Sequence, residues 1–346
     1  MTGPAGNEPL LSVVIPTYRR AADVDRAIRS VLVEPGDYFE VVVGDDASPD
    51  ETPAVVERHA QDGRVRSYRN PANLGLRKNC RKAVQSALGQ YVFLLTDDDY
   101  LMPGALAKVA AALRAHPGVG YVLSDLPTVD SRTGRVVDLH RTYAATGRIE
   151  PSLTNLPRLV RSAWVLSRQV LRREWIDWKT WDLFQDNIFF PMIVAGRLLL
   201  EHPCCYIADR LVMHTWFNRI YWSSFGRDEI DIEFNLARDA ARCMAAILHD
   251  RPRSREVLAL IEQWELDAFK SYLYRPRGFY DLARAIGLRP ALRKLEEAYR
   301  PDRRQRRALF WFPFRIPAVR AWQNLKALAR KLPPSVLKPL RAWKGL

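Results

Sequence analysis

Three consecutive aspartates, Asp97, Asp98 and Asp99, stand directly after an apolar run at residues 90–96. A buried strand that ends in carboxylates brings several negative charges to one edge of a sheet, where their repulsion is unfavourable unless a cation or solvent relieves it. The pattern therefore predicts a metal-assisted site. The alternative is an acidic loop in which Asp99 or a neighbour caps the helix that begins near Pro103.

Three earlier segments repeat the same plan of strand, polar loop and helix. Apolar runs at residues 11–15, 39–43 and 65–68 each end in a polar loop, and residues with helical spacing follow, as over 77–88. Strands that alternate with helices in this way predict a mostly parallel sheet with right-handed crossovers. Because ligands of such sheets bind outside the carboxyl ends of the strands, we expect four loops to converge on one ligand.

Four motifs in these loops match a known family in order and spacing as well as in residue type. They are VVIPTY at 13–18, VVGDDASPD at 42–50, NLG at 73–75 with Asn79, and TDDDYLMP at 96–103. In these motifs the chain resembles family 2 glycosyltransferases, strongly over residues 10–126, more weakly to about 216 and not beyond. The resemblance implies a GT-A fold: a Rossmann-like α/β sheet flanked by helices that holds a nucleotide-diphospho-sugar and, in its second half, the acceptor.

The first two loops are expected to hold the base of the nucleotide. An aspartate at a strand end can accept a hydrogen bond from the N–H of a pyrimidine ring, so Asp45 or Asp46 should read the base. Pro16, Thr17 and Tyr18 would flank it, because the family places its base-binding groups on these two loops. The donor would be a UDP-, dTDP- or GDP-linked hexose or deoxyhexose.

The third loop adds two residues that the resemblance places near the nucleotide, Asn73 and Arg77. A single arginine at a helix start is equally typical of an ordinary surface position. Both interpretations of Arg77 therefore stay open at this point.

The resemblance assigns the metal to the aspartate cluster. A divalent ion that bridges diphosphate oxygens to a carboxylate stabilises the charge that develops on the leaving group. Asp98 is the first choice for this ligand. The three aspartates fit the acidic motif of the family in two registers that differ by one residue, so Asp97 (ribose or metal) and Asp99 remain candidates. His214 is a weaker candidate. Oxygen ligands suit Mg²⁺ or Mn²⁺.

The reaction also needs a base that takes the proton from the acceptor hydroxyl. Asp186 lies where the resemblance places the catalytic base of inverting members, and we expect it to open an apolar helix; Asp182 is the alternative. Aromatic neighbours predict a partly dry environment that raises the carboxylate pKa. The competing interpretation is that Asp186 only caps the helix.

The segments predict one catalytic domain with additions at its C-terminal side. We expect the catalytic domain over 1–225, with a nucleotide-sugar half at 10–126 and an acceptor half at 127–225, a helical extension over 226–300 and a basic amphipathic tail over 301–346. The helices of the extension should pack on the catalytic domain or mediate self-association into a homo-oligomer.

The tail holds most of the excess charge. Residues 301–346 contain twelve Lys or Arg and one acid, so they carry +11 of the formal net charge of +14. Aromatic and aliphatic residues lie among these charges, a pattern that suits an anionic membrane surface, where each basic residue contributes about 1 kcal/mol. A solvated tail and a nucleic-acid-binding tail are the alternatives; because the chain contains no recognised nucleic-acid motif, we expect no nucleic-acid partner.

Other sequence features bear on the compartment. The chain has no apolar stretch of the roughly 18 to 20 residues that a transmembrane helix needs, and no signal-peptide pattern. Its four cysteines lack metal-ligand spacing, so we expect reduced thiols. These features predict a cytoplasmic protein, peripheral on the inner face of the plasma membrane.

Together the patterns favour an inverting glycosyltransferase that acts on a glycan, glycolipid or small-molecule acceptor, as in cell-envelope biosynthesis. A nucleotidyltransferase on a similar sheet is the alternative, but the loop at 16–20 lacks the glycines expected of a phosphate loop. A non-catalytic relative that binds carbohydrate or membrane is the third hypothesis, and the intact aspartate cluster argues against it.

Overall fold

The computed structural model describes residues 8–130, 133–184, 186–216, 229–273, 290, 291 and 293. The described residues up to 216 form one compact unit together with 243–260, and the remaining ones belong to a second unit. The boundary predicted near residue 225 is therefore not a single cut in the chain. The predicted tail, 301–346, lies outside the described residues.

Eleven strands are present in the described part of the chain. They are β1 (Leu11–Thr17), β2 (Phe39–Asp45), β3 (Val65–Arg69), β4 (Tyr91–Leu94), β5 (Tyr100–Leu101), β6 (Tyr121–Asp130), β7 (Val136–His140), β8 (Gly147–Ile149), β9 (Gln169–Arg172), β10 (Cys204–Arg210) and β11 (Val212–Trp216). The main sheet has the order β3-β2-β1-β4-β9-β6-β10-β8, and β7 and β11 pair with a further part of β6.

Nine α-helices accompany these strands within the described residues. They are α1 (Ala21–Leu32), α2 (Thr52–His59), α3 (Leu76–Ser86), α4 (Ala105–Ala115), α5 (Leu156–Ser162), α6 (Trp178–Phe184), α7 (Phe190–Glu201), α8 (Glu229–Ile247) and α9 (Arg255–Leu273). Among the described helices, none has both the length and the apolar character that crossing a bilayer requires.

The first half of the sheet confirms the predicted alternation of strands and helices. Strands β3, β2, β1 and β4 are all parallel, so their carboxyl ends share one edge. All seven residues of β1 and of β2 are buried, as expected for parallel strands covered on both faces. Helix α1 covers this region with Val24, Ala27, Ile28 and Val31, which recur at the spacing of one helical face.

The second half of the sheet is mixed rather than parallel. Strand β9 lies between β4 and β6 and runs antiparallel to both. Because of this reversal, the start of β9 lies beside the carboxyl end of β4. The short 3-10 turn Leu166–Arg168, which precedes β9, is thereby brought to the edge where the aspartates stand.

All four cysteines are buried, and none of them forms a disulfide in the structure.

Candidate active site

The loops that follow β1 and β2 are joined by backbone hydrogen bonds at the shared edge. The Asp46 N–H donates to the Thr17 carbonyl at 3.0 Å, and the Asn70 N–H donates to the Asp45 carbonyl at 2.8 Å. The ends of β1, β2 and β3 are thus fixed relative to one another. The predicted convergence of these three loops is present in the structure.

Asp97 and Asp98 at the end of β4 share one cation, the guanidinium of Arg20. Nη1 of Arg20 lies 3.3 Å from Oδ1 of Asp97 and 2.7 Å from Oδ2 of Asp98. The side chains of Arg20 and Asp97 are each 10% exposed and that of Asp98 is 18% exposed. The β1–α1 loop therefore meets the aspartate cluster directly.

One guanidinium does not fully compensate these two charges. Burial, opposed by Arg20, raises the pKa of Asp97 to about 7. Burial and the neighbouring Asp99 also raise the pKa of Asp98. A raised carboxylate pKa means that the negative charge is disfavoured where it stands, and an additional cation would relieve this.

Asp99 has a different environment and is fully buried. Its Oδ1 accepts the Thr215 N–H at 2.7 Å, its Oδ2 accepts the Thr96 hydroxyl at 3.0 Å, and Nδ1 of His214 lies 3.1 Å from Oδ2. Burial by itself would raise the pKa of Asp99, but His214 and these hydrogen bonds lower it. Burial likewise disfavours the imidazolium of His214, yet Asp99 raises the pKa of this ring.

These contacts correct the expectation that Asp99 binds metal. Both of its oxygens already accept hydrogen bonds from β11 and from Thr96, and none of its surface faces solvent. His214 was expected after a strand, whereas it lies within β11, where the register of β11 against β5 places it opposite Asp99. Asp99 therefore holds β11 and the His214 ring in place.

The backbone of the β1–α1 loop fixes the position of Arg20. The Arg20 N–H donates to the hydroxyl of Thr52 at 3.0 Å, and the Arg19 N–H donates to the hydroxyl of Ser48 at 3.0 Å. Arg19 has a φ of 55°, in the left-handed region that most side chains avoid. Two hydrogen bonds to the second loop and its helix thus hold a strained turn that directs Arg20 toward the cluster.

A second arginine, Arg26 of α1, flanks the cluster. Its Nη2 donates to the backbone carbonyl of Asp98 at 2.8 Å and lies 3.1 Å from Oδ1 of Asp23. Its guanidinium also lies 5.3 Å from the centre of the Tyr100 ring. Arg26 therefore orients the backbone of the cluster and leaves the Asp98 carboxylate to Arg20.

The two aspartates at the end of β2 have different roles. Asp46 accepts the N–H groups of Leu74 and Gly75 at 2.9 and 2.8 Å, and the side-chain amide of Asn70 at 2.8 Å. Its carboxylate is thus occupied in holding the β3–α3 loop. Asp45 accepts the Ser48 N–H through Oδ1 at 3.1 Å, and its Oδ2 lies 3.2 Å from Nε of Arg69.

The other predicted donor-binding residues lie on the same loops with different exposure. Pro16 and Thr17 are buried within β1, which continues through Thr17 rather than stopping at Pro16. Tyr18 is half-buried, and Asn73 is exposed with its Oδ1 accepting the Gly75 N–H at 2.9 Å. Tyr18 and Asn73 are therefore the members of this set with surface open to a ligand.

The candidate bases lie beside helix α3 and are open to solvent. Oδ1 of Asp186 lies 3.6 Å from Nη1 of Arg77, and the Asp186 side chain is fully exposed. Asp182 is half-exposed and pairs with Arg81 through two hydrogen bonds of 2.5 and 2.8 Å. The contact with Arg77 brings Asp186 to the third loop of the site.

The prediction of a partly dry, aromatic environment for these two carboxylates is wrong. Both carboxylates are exposed, whereas two of the neighbouring aromatic side chains, Trp181 and Phe190, are buried in the core with their rings 5.5 Å apart. The apolar helix α7 begins at Phe190, four residues after Asp186, so Asp186 lies in the preceding turn and does not open the helix.

The donor set at the cluster fits a divalent cation in part. No group of three His, Cys, Asp or Glu side chains is arranged to hold a metal within the described residues. One or two carboxylates suffice, however, when substrate phosphates supply the other oxygen ligands, which is the usual arrangement for Mg²⁺. Asp98 meets this requirement, since it is the most exposed of the three aspartates and already faces a cation.

Several residues of the site were not predicted from the sequence. Arg20 and Arg26 contact the cluster from 72 or more positions away, and the Ser167 hydroxyl, at the start of β9, accepts the Thr96 N–H at 2.9 Å. Two arginines that follow directly on the first motif were a signal for Arg20. Nothing local marks Ser167, because its position depends on the antiparallel placement of β9.

Comparison with known proteins agrees with this geometry. Residues 12–175 match the model of the family described as Glycosyl transferase family 2. A 119-residue segment is 32% identical to the GalNAc(5)-diNAcBac-PP-undecaprenol beta-1,3-glucosyltransferase of Campylobacter jejuni and covers 34% of this chain and 38% of that protein. A 166-residue segment is 31% identical to the succinoglycan biosynthesis protein ExoO of Rhizobium meliloti and covers 48% of this chain and 44% of that protein. The matches thus span less than half the length of these relatives.

Solved structures share the fold at low sequence identity. S. aureus TarS 1-349 in complex with UDP superposes with a TM-score of 0.55 and 20% identity, over 77% of this chain and 72% of that one. The mannosyltransferase PcManGT of Pyrobaculum calidifontis, in complex with GDP-Man and Mn²⁺, superposes with a TM-score of 0.50 and 18% identity, over 92% of this chain and 88% of that one. Residues 12–175 of the chain therefore form a family 2 glycosyltransferase domain with the GT-A fold.

Proposed function

We propose that this protein transfers a sugar from a nucleotide-diphospho-sugar to an acceptor hydroxyl with inversion at the anomeric carbon. The observation that carries the proposal is the meeting of three loops at one sheet edge: Arg20 contacts Asp97 and Asp98, and the Asp45 loop supports the backbone beside Arg20. These contacts support a site in which the loop of Asp98, the proposed metal ligand, adjoins the loop of Asp45, the residue proposed for the nucleotide base.

Asp45 is the residue that we assign to the base of the nucleotide. Asp46 accepts hydrogen bonds from the backbone of the third loop, whereas Oδ2 of Asp45 contacts the Arg69 guanidinium and, within the described residues, accepts no hydrogen bond. Tyr18 and Asn73 would contact the nucleoside from either side, and Arg77 would lie near the diphosphate. The UDP and GDP-Man held by TarS and PcManGT are consistent with a nucleotide in this place.

Asp98 is the proposed ligand of a bound Mg²⁺ or Mn²⁺, with His214 as a weaker candidate. Such an ion would supply positive charge against the departing diphosphate. Asp97 would keep the Arg20 side chain beside it, and Asp99 would keep the His214 ring in place from below.

Asp186 is the proposed base. The acceptor oxygen forms a bond to the anomeric carbon while the bond from that carbon to the diphosphate oxygen breaks, and the hydroxyl proton passes to the Asp186 carboxylate. The nucleoside diphosphate leaves with the electron pair of the broken bond. Full exposure of Asp186 makes it reachable for an acceptor that arrives from solvent.

A glycolipid or cell-envelope glycan is the acceptor class that we favour. Leu74 precedes helix α3, which carries Arg77 and Arg81, and Leu183 follows Asp182 directly in α6. Both leucines are exposed, so apolar surface adjoins the arginine–aspartate pairs. The undecaprenol-linked substrate in the name of the Campylobacter jejuni relative is in keeping with this choice. Peripheral attachment to a membrane through 301–346 would then bring the enzyme to its acceptor.

The test is metal-dependent release of a nucleoside diphosphate by the purified full-length chain from a panel of UDP-, dTDP- and GDP-sugars. Slow donor hydrolysis requires no known acceptor. We expect release from one donor with Mn²⁺, loss of release in Asp98→Ala, and loss of transfer to water with retained donor binding in Asp186→Ala. Asp182→Ala is the matched control, because it removes a neighbouring arginine-paired carboxylate.

Two outcomes would contradict the proposal. A folded protein that neither binds nor hydrolyses any donor would favour the non-catalytic hypothesis. Loss of transfer in Asp182→Ala, with Asp186→Ala active, would move the role of the base to Asp182.

A further inference from the structure

Arg20 lies where a cation bound to Asp98 would lie. Its Nη1 contacts carboxylate oxygens of both Asp97 and Asp98, at 3.3 and 2.7 Å, and its side chain is 10% exposed. A metal that takes the Asp98 oxygen must therefore displace this guanidinium.

The position of Arg20 is imposed by its surroundings. The backbone N–H groups of residues 19 and 20 donate hydrogen bonds to the hydroxyls of Ser48 and Thr52, which fixes this backbone at the start of α1. The Arg20 carbonyl also accepts the Val24 N–H at 2.9 Å in the first turn of that helix. Because the backbone is fixed, only the side-chain torsions can move the guanidinium away from the aspartates.

The charges around the cluster set up a competition. Asp99 is matched by His214, and Arg26 contacts the backbone carbonyl of Asp98 rather than its carboxylate. Asp97 and Asp98 are thus two carboxylates against one side-chain cation. A divalent ion would balance both negative charges, but the positive guanidinium at the same carboxylate oxygen would repel the ion.

We propose that Arg20 is an internal counter-ion that competes with the divalent cation for Asp98 and moves to the diphosphate of the donor when the cation binds. A guanidinium is well suited to the second position, because its planar fork binds phosphate oxygens through two parallel hydrogen bonds. The metal site is therefore closed by Arg20 in the absence of donor and opened when the diphosphate provides a new partner for the arginine. This inference rests on the proposed function, since it takes Asp98 as the metal ligand.

The first test measures Mn²⁺ binding without nucleotide, by the electron paramagnetic resonance signal of free Mn²⁺. We expect Arg20→Gln to bind Mn²⁺ about tenfold more tightly than the wild type, because a like charge next to the ion is removed. Arg20→Lys, which keeps a positive charge, should stay close to the wild type. Arg148→Gln is the matched control, since Arg148 lies on β8, four strands away from β4 in the sheet, and pairs with Glu150; its Mn²⁺ affinity should be unchanged.

The second test measures UDP binding by calorimetry at saturating Mn²⁺. Arg20→Gln should weaken UDP binding about fivefold or more through the lost contact with the diphosphate. The opposite signs of the two effects are the signature of a side chain that changes partners. Equal or weaker Mn²⁺ binding by Arg20→Gln, or unchanged UDP binding, would overturn the inference.

A further pair of variants covers the case in which Arg20→Gln does not fold with two uncompensated carboxylates. Asp97→Asn removes one of these charges, so the double variant Arg20→Gln/Asp97→Asn is compared with Asp97→Asn alone. The same gain in Mn²⁺ affinity is expected, and its absence would again overturn the inference.

Asp98→Asn separates this inference from the proposed function. If Asp98→Asn binds Mn²⁺ in the presence of UDP as the wild type does, the proposed metal site is wrong. If Asp98→Asn loses this binding but Arg20→Gln gains none, the metal site stands and only the role of Arg20 fails.

Discussion

Replacement of Asp99 by alanine should reduce the stability of the fold far more than the same change at Asp98. Asp99 is fully buried, and its loss would leave the Thr215 N–H, the Thr96 hydroxyl and the ring of His214 without their carboxylate acceptor. Removal of one partner from a buried, hydrogen-bonded ion pair costs about 3–5 kcal/mol. This is a large fraction of the total stability of a typical domain, about 5–15 kcal/mol.

The same substitution at Asp98 is expected to cost about 1 kcal/mol or less, the range of partly exposed ion pairs. The Asp98 side chain is 18% exposed, and without it Arg20 still has Asp97 at 3.3 Å. Removal of Asp98 also relieves its repulsion with the neighbouring aspartates. The two variants remove chemically identical groups from adjacent positions, so they control for each other.

Urea unfolding and Mn²⁺ binding in the presence of UDP together test this prediction. Asp99→Ala should lower the free energy of unfolding by the larger amount and retain Mn²⁺ binding while folded, whereas Asp98→Ala should retain stability and lose the ion. If Asp99→Ala does not fold, Asp99→Asn keeps the shape of the side chain and should give a smaller shift in the same direction. A stable Asp99→Ala that has lost Mn²⁺ would refute the assignment of Asp99 to a structural role.

Two further predictions concern stability away from the cluster. Gly89→Ala should lower the free energy of unfolding by about 1–3 kcal/mol, because a Cβ at this position would lie 2.7 Å from the backbone nitrogen of Ser12. Gly63 has open space around it, so Gly63→Ala should have little effect in the same urea titration. A hydrogen bond from Arg197 lowers the pKa of Asp250, so the stability that this pair contributes is present above the usual carboxylate pKa of about 4 and is lost as the pH falls below it. As the pH falls through this range, the free energy of unfolding should therefore decrease less in Arg197→Met than in the wild type. An equal decrease in both proteins would contradict the role of the pair.

The first half of the sheet was predictable because its signals are local. Buried parallel strands are continuous apolar runs, and the residues that end each run are polar or turn-forming, so β1, β2 and β4 and their carboxyl edge follow from this pattern. The second half mixes parallel and antiparallel pairs, and no local pattern determines that β9 is inserted between β4 and β6.

The site, too, was predictable only in part. That the three aspartates lie at a sheet edge followed from the sequence, but the difference between them did not. Asp98 faces the site and Asp99 faces the core because β11 returns beside β5 from more than a hundred residues later. The exposure of Asp186 likewise depends on how α6 and α7 pack, since Trp181 and Phe190 turn away from it.

The placement of β9 has a consequence for how this enzyme class can diversify. Strand β9, which follows residue 126 in the chain, pairs with β4, and the Ser167 hydroxyl in the turn before β9 accepts the N–H of Thr96 at the head of the aspartate cluster. The segments before and after residue 126 are therefore not interchangeable modules. A chimera that joins the segment before residue 126 to the following segment of another relative would import a foreign strand into the centre of the sheet. Recombination that preserves function is more readily achieved in loops than at the midpoint of the chain.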